Sequence, residues 1–130
     1  MTAPRTVTVP TSDHGDVTIP EPAWCIGIGH DVPNLRAEIA HQGEPFDITV
    51  NTARGPRRLL ELMLWQDPFP SPASPHGATV YQVARLLDGD HFGYDFAGLE
   101  GLVTDLLEAA GTVRRIAACL RIEYALGGGR

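Results

Sequence analysis

The stretch that decides the fold runs from residue 95 to residue 124 and reads DFAGLEGLVTDLLEAAGTVRRIAACLRIEY. Its apolar residues recur in alternating steps of four and three, the spacing that places side chains along one face of a helix. These residues are Leu99, Val103, Leu106, Ala110, Val113, Ala117, Leu120 and Tyr124. The pattern predicts one long C-terminal helix over 95–124, and the glycines that follow predict a flexible tail over 125–130.

Residues at the start of this pattern and beside its apolar seam also indicate how the helix begins and what it packs against. Asp95 is suited to cap the first turn, and Tyr94 and Leu99 stand where a hydrophobic staple would close. Leu102 and Ile116 flank the apolar seam and make it wider than the stripe of a coiled coil. We therefore expect the helix to pack against the apolar face of a sheet, and a homodimer through this helix is the alternative.

Upstream of the helix the chain is divided by prolines, since all 11 of them lie within residues 4–75. Short runs rich in β-branched and aromatic residues, bounded by Pro, Gly or Asp, are typical of strands. The predicted strands are 6–9, 16–19, 35–40, 46–51, 57–66, 78–87 and 90–94. The sequence thus predicts an α+β fold, an antiparallel β-meander of about six or seven short strands packed against one long C-terminal helix.

One segment of this β-rich part is ambiguous between helix and strand. Residues 57–66 could form a helix, but the Gly55-Pro56 pair before them and Asp67-Pro68 after them favour a bounded strand. The proline-rich segment 68–75 predicts an exposed connection, and the dipeptide Asp88-Gly89 predicts a type I′ hairpin turn. We expect a single domain over 1–130, with a β-rich part over 1–94 that includes a metal-type loop over 20–43.

Composition narrows the class of function. The net charge of −6 argues against broad binding to nucleic acid, which depends on cations that displace phosphate counterions. No apolar run reaches the roughly 20 residues that cross a bilayer, and no signal-peptide core follows the N-terminus, so a cytoplasmic protein is expected. In that compartment Cys25 and Cys119 are expected to stay unpaired.

One cluster of residues suggests a metal-binding site. Trp24 and Cys25 stand just before a Gly-rich segment that ends at His30, and His41 follows eleven residues later. Zinc accepts mixtures of thiolate and imidazole, and short loops bring such ligands together. A buried cysteine that behaves as a small hydrophobic residue is the alternative. Trp24 is expected to lie in the core and to shield the ligands.

The same region carries a resemblance to a family. The runs PTSDHG (10–15), EPAWC (21–25), His30 and EIAHQGE (38–44) resemble an uncharacterised family of small actinobacterial proteins. Members of that family carry a Cys-Pro-x-Trp-Cys motif, then a histidine and a later His-x-Gly, a pattern similar to a two-Cys, two-His zinc knuckle. The resemblance covers roughly the first 50 residues.

The resemblance implies a zinc site at Cys25, His30 and His41, with Glu21 at the position of the family's first cysteine. A carboxylate is also a zinc ligand, so Glu21 could complete the site. The alternatives for the fourth position are Asp31, His14 or water, and the site could also have lost its metal. A metal site closed by four protein ligands would be structural, whereas one that keeps a water would suit catalysis.

A second group of candidate residues comprises Arg54, Arg57 and Arg58, which surround a Gly-Pro turn and could bind a partner. Because the sequence holds no recognisable catalytic motif, we expect a small accessory, protein-interaction domain with a structural zinc knuckle and an unknown protein partner. A zinc-dependent hydrolase with an open metal site is the alternative. A nucleic-acid-associated regulator is a further one.

Overall fold

Seven strands precede one long helix in the computed structural model, which describes residues 5–87 and 89–128. The strands are β1 (Arg5–Thr11), β2 (Gly15–Glu21), β3 (His41–Gln42), β4 (Phe46–Thr52), β5 (Gly55–Gln66), β6 (Tyr81–Leu86) and β7 (His91–Tyr94). All of their pairings are antiparallel, which confirms the predicted α+β class. The chain divides into two compact units, Met1–Asp95 with the strands and Phe96–Arg130 with the helix. The single domain stays a prediction.

Strands β1 and β2 form a two-stranded sheet of their own. Their β-branched residues alternate between the two faces, and Val9 and Ile19 become buried on the same face. Ile39 completes this small core, and Phe69 packs against it although the sequence predicted an exposed connection around that residue. Three buried side chains make a modest core for the hairpin.

The remaining strands form a five-stranded sheet in the order β3-β5-β6-β7, with β4 also paired to β5. Residues 57–66 lie within strand β5, which confirms the predicted strand over the helix. Leu60 and Met63, which differ in parity, are both buried, so the middle of β5 is covered on both faces rather than on one. The register of β4 against β5 shifts between Ile48 and Thr49, which places a β-bulge there.

The predicted strand over 35–40 is wrong. Residues Arg36–Glu38 form a 3-10 turn, and the Asp13 carboxylate accepts a hydrogen bond of 2.9 Å from the Arg36 amide. The Asn34 side chain accepts a second one from Leu35 at 2.9 Å. Asp and Asn side chains that bind nearby amides compete with sheet hydrogen bonds, so this segment turns despite its apolar residues.

A hairpin joins β6 to β7, although Asp88 lies outside the described residues. Its loop is one residue longer than the predicted two-residue type I′ turn, because the Gly89 amide donates to the Leu86 carbonyl at 2.9 Å. Its closing hydrogen bond runs from the Leu86 amide to the Asp90 carbonyl at 3.0 Å. Gly89 has φ 92°, a left-handed conformation that suits glycine. The strand itself begins at Tyr81, later than the predicted residue 78.

Helix α1 (Phe96–Glu123) begins directly after Asp95, close to the predicted start, and a wider turn, Tyr124–Gly128, follows it. None of its side chains is buried. Packing of its apolar seam on the sheet, or on a second copy, stays a prediction. Within the described residues no helix has the length and apolar character needed to cross a membrane.

Candidate metal centre

The loop between β2 and β3 carries two of the candidate ligands, Cys25 and His30. Gly27 and Gly29 both adopt φ 77°, a left-handed conformation that glycine reaches without strain. The His30 amide donates to the Gly27 carbonyl at 3.2 Å, so the chain turns back on itself between Cys25 and His30. The predicted Gly-rich curl is therefore formed, and it directs both side chains inward.

Backbone hydrogen bonds fix this loop against the five-stranded sheet. The Cys25 amide donates to the Pro22 carbonyl at 3.0 Å, and the Ile26 amide donates to the Gln42 carbonyl at 3.0 Å. The Gly43 amide then donates to the Leu64 carbonyl at 2.8 Å. Cys25 thus lies beside β3, the strand that supplies His41.

Three of the predicted ligands converge. One ligand atom from each of Cys25, His30 and His41 lies within 4.8 Å of the other two. The three residues are only 5%, 8% and 1% exposed. Zinc–ligand distances of about 2.0–2.3 Å would require these atoms to draw together by about 1 Å. The group could therefore hold a metal ion after a small adjustment of side chains.

The hydrogen bonding of the two imidazoles leaves their Nδ1 atoms without partners. His30 lies with Nε2 3.1 Å from the Ala40 carbonyl, which requires that Nε2 carries the proton in a hydrogen bond. The Nδ1 atoms of His30 and His41 are buried and make no hydrogen bond. Buried polar atoms are rarely left unsatisfied, and these two nitrogens lie beside a buried cysteine in a group that could hold a metal ion.

Glu21, at the end of β2, reaches the same group. Its Oε1 lies 3.5 Å from His30 Nδ1, and its carboxylate is also within hydrogen-bonding reach of the Cys25 thiol. Two lone pairs that face each other across 3.5 Å repel unless a proton or a metal ion lies between them. The carboxylate thus lies beside the three converging side chains, although it is outside the tight group of three ligand atoms.

Arg5 holds this arrangement in place. Its Nε lies 3.4 Å from Glu21 Oε2, and its Nη2 donates to the carbonyls of Pro22 and Cys25 at 3.0 Å each. A guanidinium fork is suited to such a set of oxygens. This role could not be predicted from sequence, because Arg5 is an isolated basic residue in an N-terminal strand.

Burial and neighbouring groups shift the pKa of two of the ligands. Burial raises the pKa of the Cys25 thiol, amide donors at Gly27 and Gln42 act in the opposite direction, and Glu21 raises it further. Burial lowers the pKa of His41, helped by the proximity of His30. A neutral imidazole is the form that binds metals, whereas the thiol has to release its proton before its sulfur binds a metal.

The other predicted ligands lie apart from the centre. His14 instead contacts the Asp13 carboxylate, with 3.0 Å between its Nδ1 and Oδ2, and Asp31 is exposed. Trp24 is partly buried and meets the His41 ring edge-on, with 6.5 Å between centroids. It shields one side of the group.

The arginines at the Gly-Pro turn lie at the β4–β5 hairpin. The Arg54 amide donates to Thr52, and Arg57 lies near the Pro56 carbonyl. Arg58 is engaged with Glu61, at 2.6 Å between Nη1 and Oε2. Their binding of a partner stays a prediction, and Arg58 would have to leave this ion pair to take part.

A cavity of about 330 Å³ borders the centre, with Arg5, Glu21, His41 and Gln66 among its lining residues. The side chain of Glu21 keeps 11% exposure there, so the centre is shielded but not sealed.

Comparison with known proteins assigns the chain to one family. No curated protein and no solved structure matches the chain. The family model described as Domain of unknown function (DUF6907) matches residues 6–122, a span that includes Cys25, His30 and His41 and nearly all of both sheets and of α1. The chain therefore belongs to this family of unknown function.

Proposed function

We propose that the chain is a small cytoplasmic accessory domain in which Cys25, His30, His41 and Glu21 bind one zinc ion, and that this zinc has a structural role. The observation that carries the proposal is the pair of buried Nδ1 atoms of His30 and His41, which make no hydrogen bond and lie beside Cys25. Zinc is the metal whose usual ligands match this mixture of thiolate, imidazole and carboxylate. Two free cysteines suit a reducing compartment.

Glu21 supports a closed site rather than an open one. Its Oε1 faces His30 Nδ1, and its other oxygen is held by Arg5, so the carboxylate is oriented without further help. The hydrogen bond of His30 with the Ala40 carbonyl is an outer-shell contact of the kind that orients metal-binding histidines. A closed set of four protein ligands is typical of structural zinc.

The positions of the ligands explain what such a metal would do. Glu21 ends the β1–β2 hairpin, Cys25 and His30 belong to the loop, and His41 lies in β3 of the five-stranded sheet. A metal bound by all four would join the two sheets across a loop with little core of its own. Metal binding of this kind contributes directly to the free energy of folding.

Metal analysis of untagged protein purified without chelator tests the proposal. We expect about one zinc per chain in the wild type and only a trace in Cys25→Ser and in His41→Ala. Cys119→Ser is the matched control, because Cys119 is exposed and lies on α1. Wild-type protein that holds no metal and takes up none from a zinc buffer would overturn the proposal.

Cobalt substitution tests the fourth ligand separately. Four protein ligands give the strong visible absorption of tetrahedral cobalt, and we expect Glu21→Ala to change this spectrum as water enters the site. An unchanged spectrum would remove Glu21 from the ligand set but leave the other three in place. Zinc-dependent hydrolysis of a p-nitrophenyl ester, lost in Cys25→Ser, would contradict the non-catalytic role.

A further inference from the structure

A second cavity, of about 650 Å³, lies on one face of the five-stranded sheet. The strand register places three rows of residues on this face. The rows are Gln42, Trp65 and Tyr81, then Met63, Val83 and Gly93, then Glu61, Arg85 and His91. Because neighbouring residues alternate, Gln42 faces this cavity while His41 faces the metal centre on the opposite side.

The aromatic wall of the cavity is held in a fixed position by Asp67. The Trp65 indole Nε1 donates to Asp67 Oδ1 at 3.0 Å, and the Tyr81 hydroxyl donates to Asp67 Oδ2 at 3.1 Å. One carboxylate thus orients both rings. Rings that are already oriented lose little conformational entropy when a ligand stacks on them.

A loop residue adds a third ring to this wall. His76 stacks on Tyr81, with 4.2 Å between centroids and an interplanar angle of 19°. The stacking depends on the missing side chain of Gly93, since a Cβ there would lie 2.8 Å from His76 Nε2. Gly93 therefore lets the loop close one end of the cavity.

The floor and the rim differ in polarity. Met63 is buried and Val83 half-buried, which makes the floor apolar. At the rim the Arg85 Nε donates to His91 Nε2 at 2.9 Å, an interaction that orients the guanidinium. Glu61 Oε1 forms an ion pair with Arg85 at 3.8 Å from Nε, beyond hydrogen-bond distance, and the Arg85 side chain is 40% exposed, so its outer guanidinium nitrogens face the cavity mouth.

We propose that this cavity binds a flat aromatic carboxylate, with its rings against Trp65 and Tyr81 and its carboxylate on Arg85. The volume falls in the range of small-molecule sites, about 300–1,000 Å³, and these are mostly apolar with a few placed polar groups. Arginine is the residue best matched to a carboxylate. The inference is independent of the metal centre, which lies on the other face of the sheet.

Calorimetric titration with 2-naphthoate and with its neutral counterpart 2-naphthamide tests this. We expect saturable 1:1 binding of the acid and, on the order of tenfold, weaker binding of the amide, because only the acid makes a charge-assisted hydrogen bond. Arg85→Met keeps the apolar stem and should bring the two affinities together. Arg57→Met, at the distant β4–β5 turn, should leave both unchanged.

The place of binding is tested on the wild type and on one filled variant. In amide NMR spectra the Trp65 indole N–H and the Gly93 amide should shift on adding 2-naphthoate, and Val83→Trp should abolish binding by filling the floor. The proposal fails if the acid does not saturate, if acid and amide bind equally well, or if the shifts occur elsewhere. The NMR result decides the matter even if Val83→Trp does not fold.

Discussion

Removal of zinc should lower the thermal stability of the β-rich unit, and Cys25→Ser should abolish the effect of zinc. The ligands belong to the end of β2, to the loop and to β3, so the site exists only when both sheets are formed. An unfolded chain offers the same side chains without the geometry and binds the ion far more weakly. Zinc therefore favours the folded state by linkage.

The size of the effect follows from that linkage. With free zinc at about 100 times the dissociation constant, the folded state gains about 2.7 kcal/mol. For a domain of the size of Met1–Asp95, each kcal/mol changes the melting temperature by about 4–8 °C. The melting temperature of the wild type should thus rise by about 10–20 °C on adding zinc to chelator-treated protein.

The assay is a melt of the β-rich unit followed by Trp24 and Trp65 fluorescence, with and without zinc. Cys119→Ser should reproduce the wild-type rise, whereas Cys25→Ser should melt at the same temperature in both buffers. An equal melting temperature of apo and zinc-treated wild type would show that the ion contributes nothing to folding. The structural role of zinc would then be refuted even if the protein bound the ion.

Three further outcomes can be checked by titration and unfolding. Burial, with a contribution from the Asp67 carboxylate, raises the pKa of Tyr81 to about 12. Ultraviolet titration should therefore show one tyrosine that ionises at a higher pH than the others, and Asp67→Asn should lower the pKa of that tyrosine. Since an unfolded tyrosine ionises near pH 10, this group's stabilisation is present below about pH 10 and is lost as the pH rises towards 12. Gly93→Val should destabilise the fold by about 1–3 kcal/mol in urea, because its side chain would collide with His76; unchanged stability would contradict the close packing. Gly101→Ala has free space in α1 and should stabilise the helix by up to about 1 kcal/mol in a circular-dichroism melt, and a loss would show that the glycine is needed.

The convergence of the candidate ligands could be predicted from the sequence because these residues are close together in the chain. Cys25 and His30 are separated by a short Gly-rich segment, so local turns alone bring them together. The place of Glu21 came from a resemblance, and the structure brings it beside the group. Arg5 could not be found, since its role depends on carbonyls that only the folded loop presents.

The fold was predictable where local signals agreed. The flanking turn signals correctly predicted a strand over 57–66, and the spacing of apolar residues correctly predicted the position of α1. The error at 35–40 arose because Asp13, distant in sequence, binds the Arg36 amide. The aromatic cavity was missed for a similar reason: Trp65 and Tyr81 become neighbours only through the register of β5 with β6.

The pairing of β3 with the far end of β5 has a consequence for the order of events during folding. His41 opposes Gln66, so the strand that carries this ligand gains its hydrogen-bonding partner only after a long stretch of chain has been synthesised and has turned back. An excised peptide over 21–41 would hold the four proposed ligand side chains without the partner strand that positions His41. Maturation of the centre would then follow closure of the sheet, a non-local and comparatively slow step.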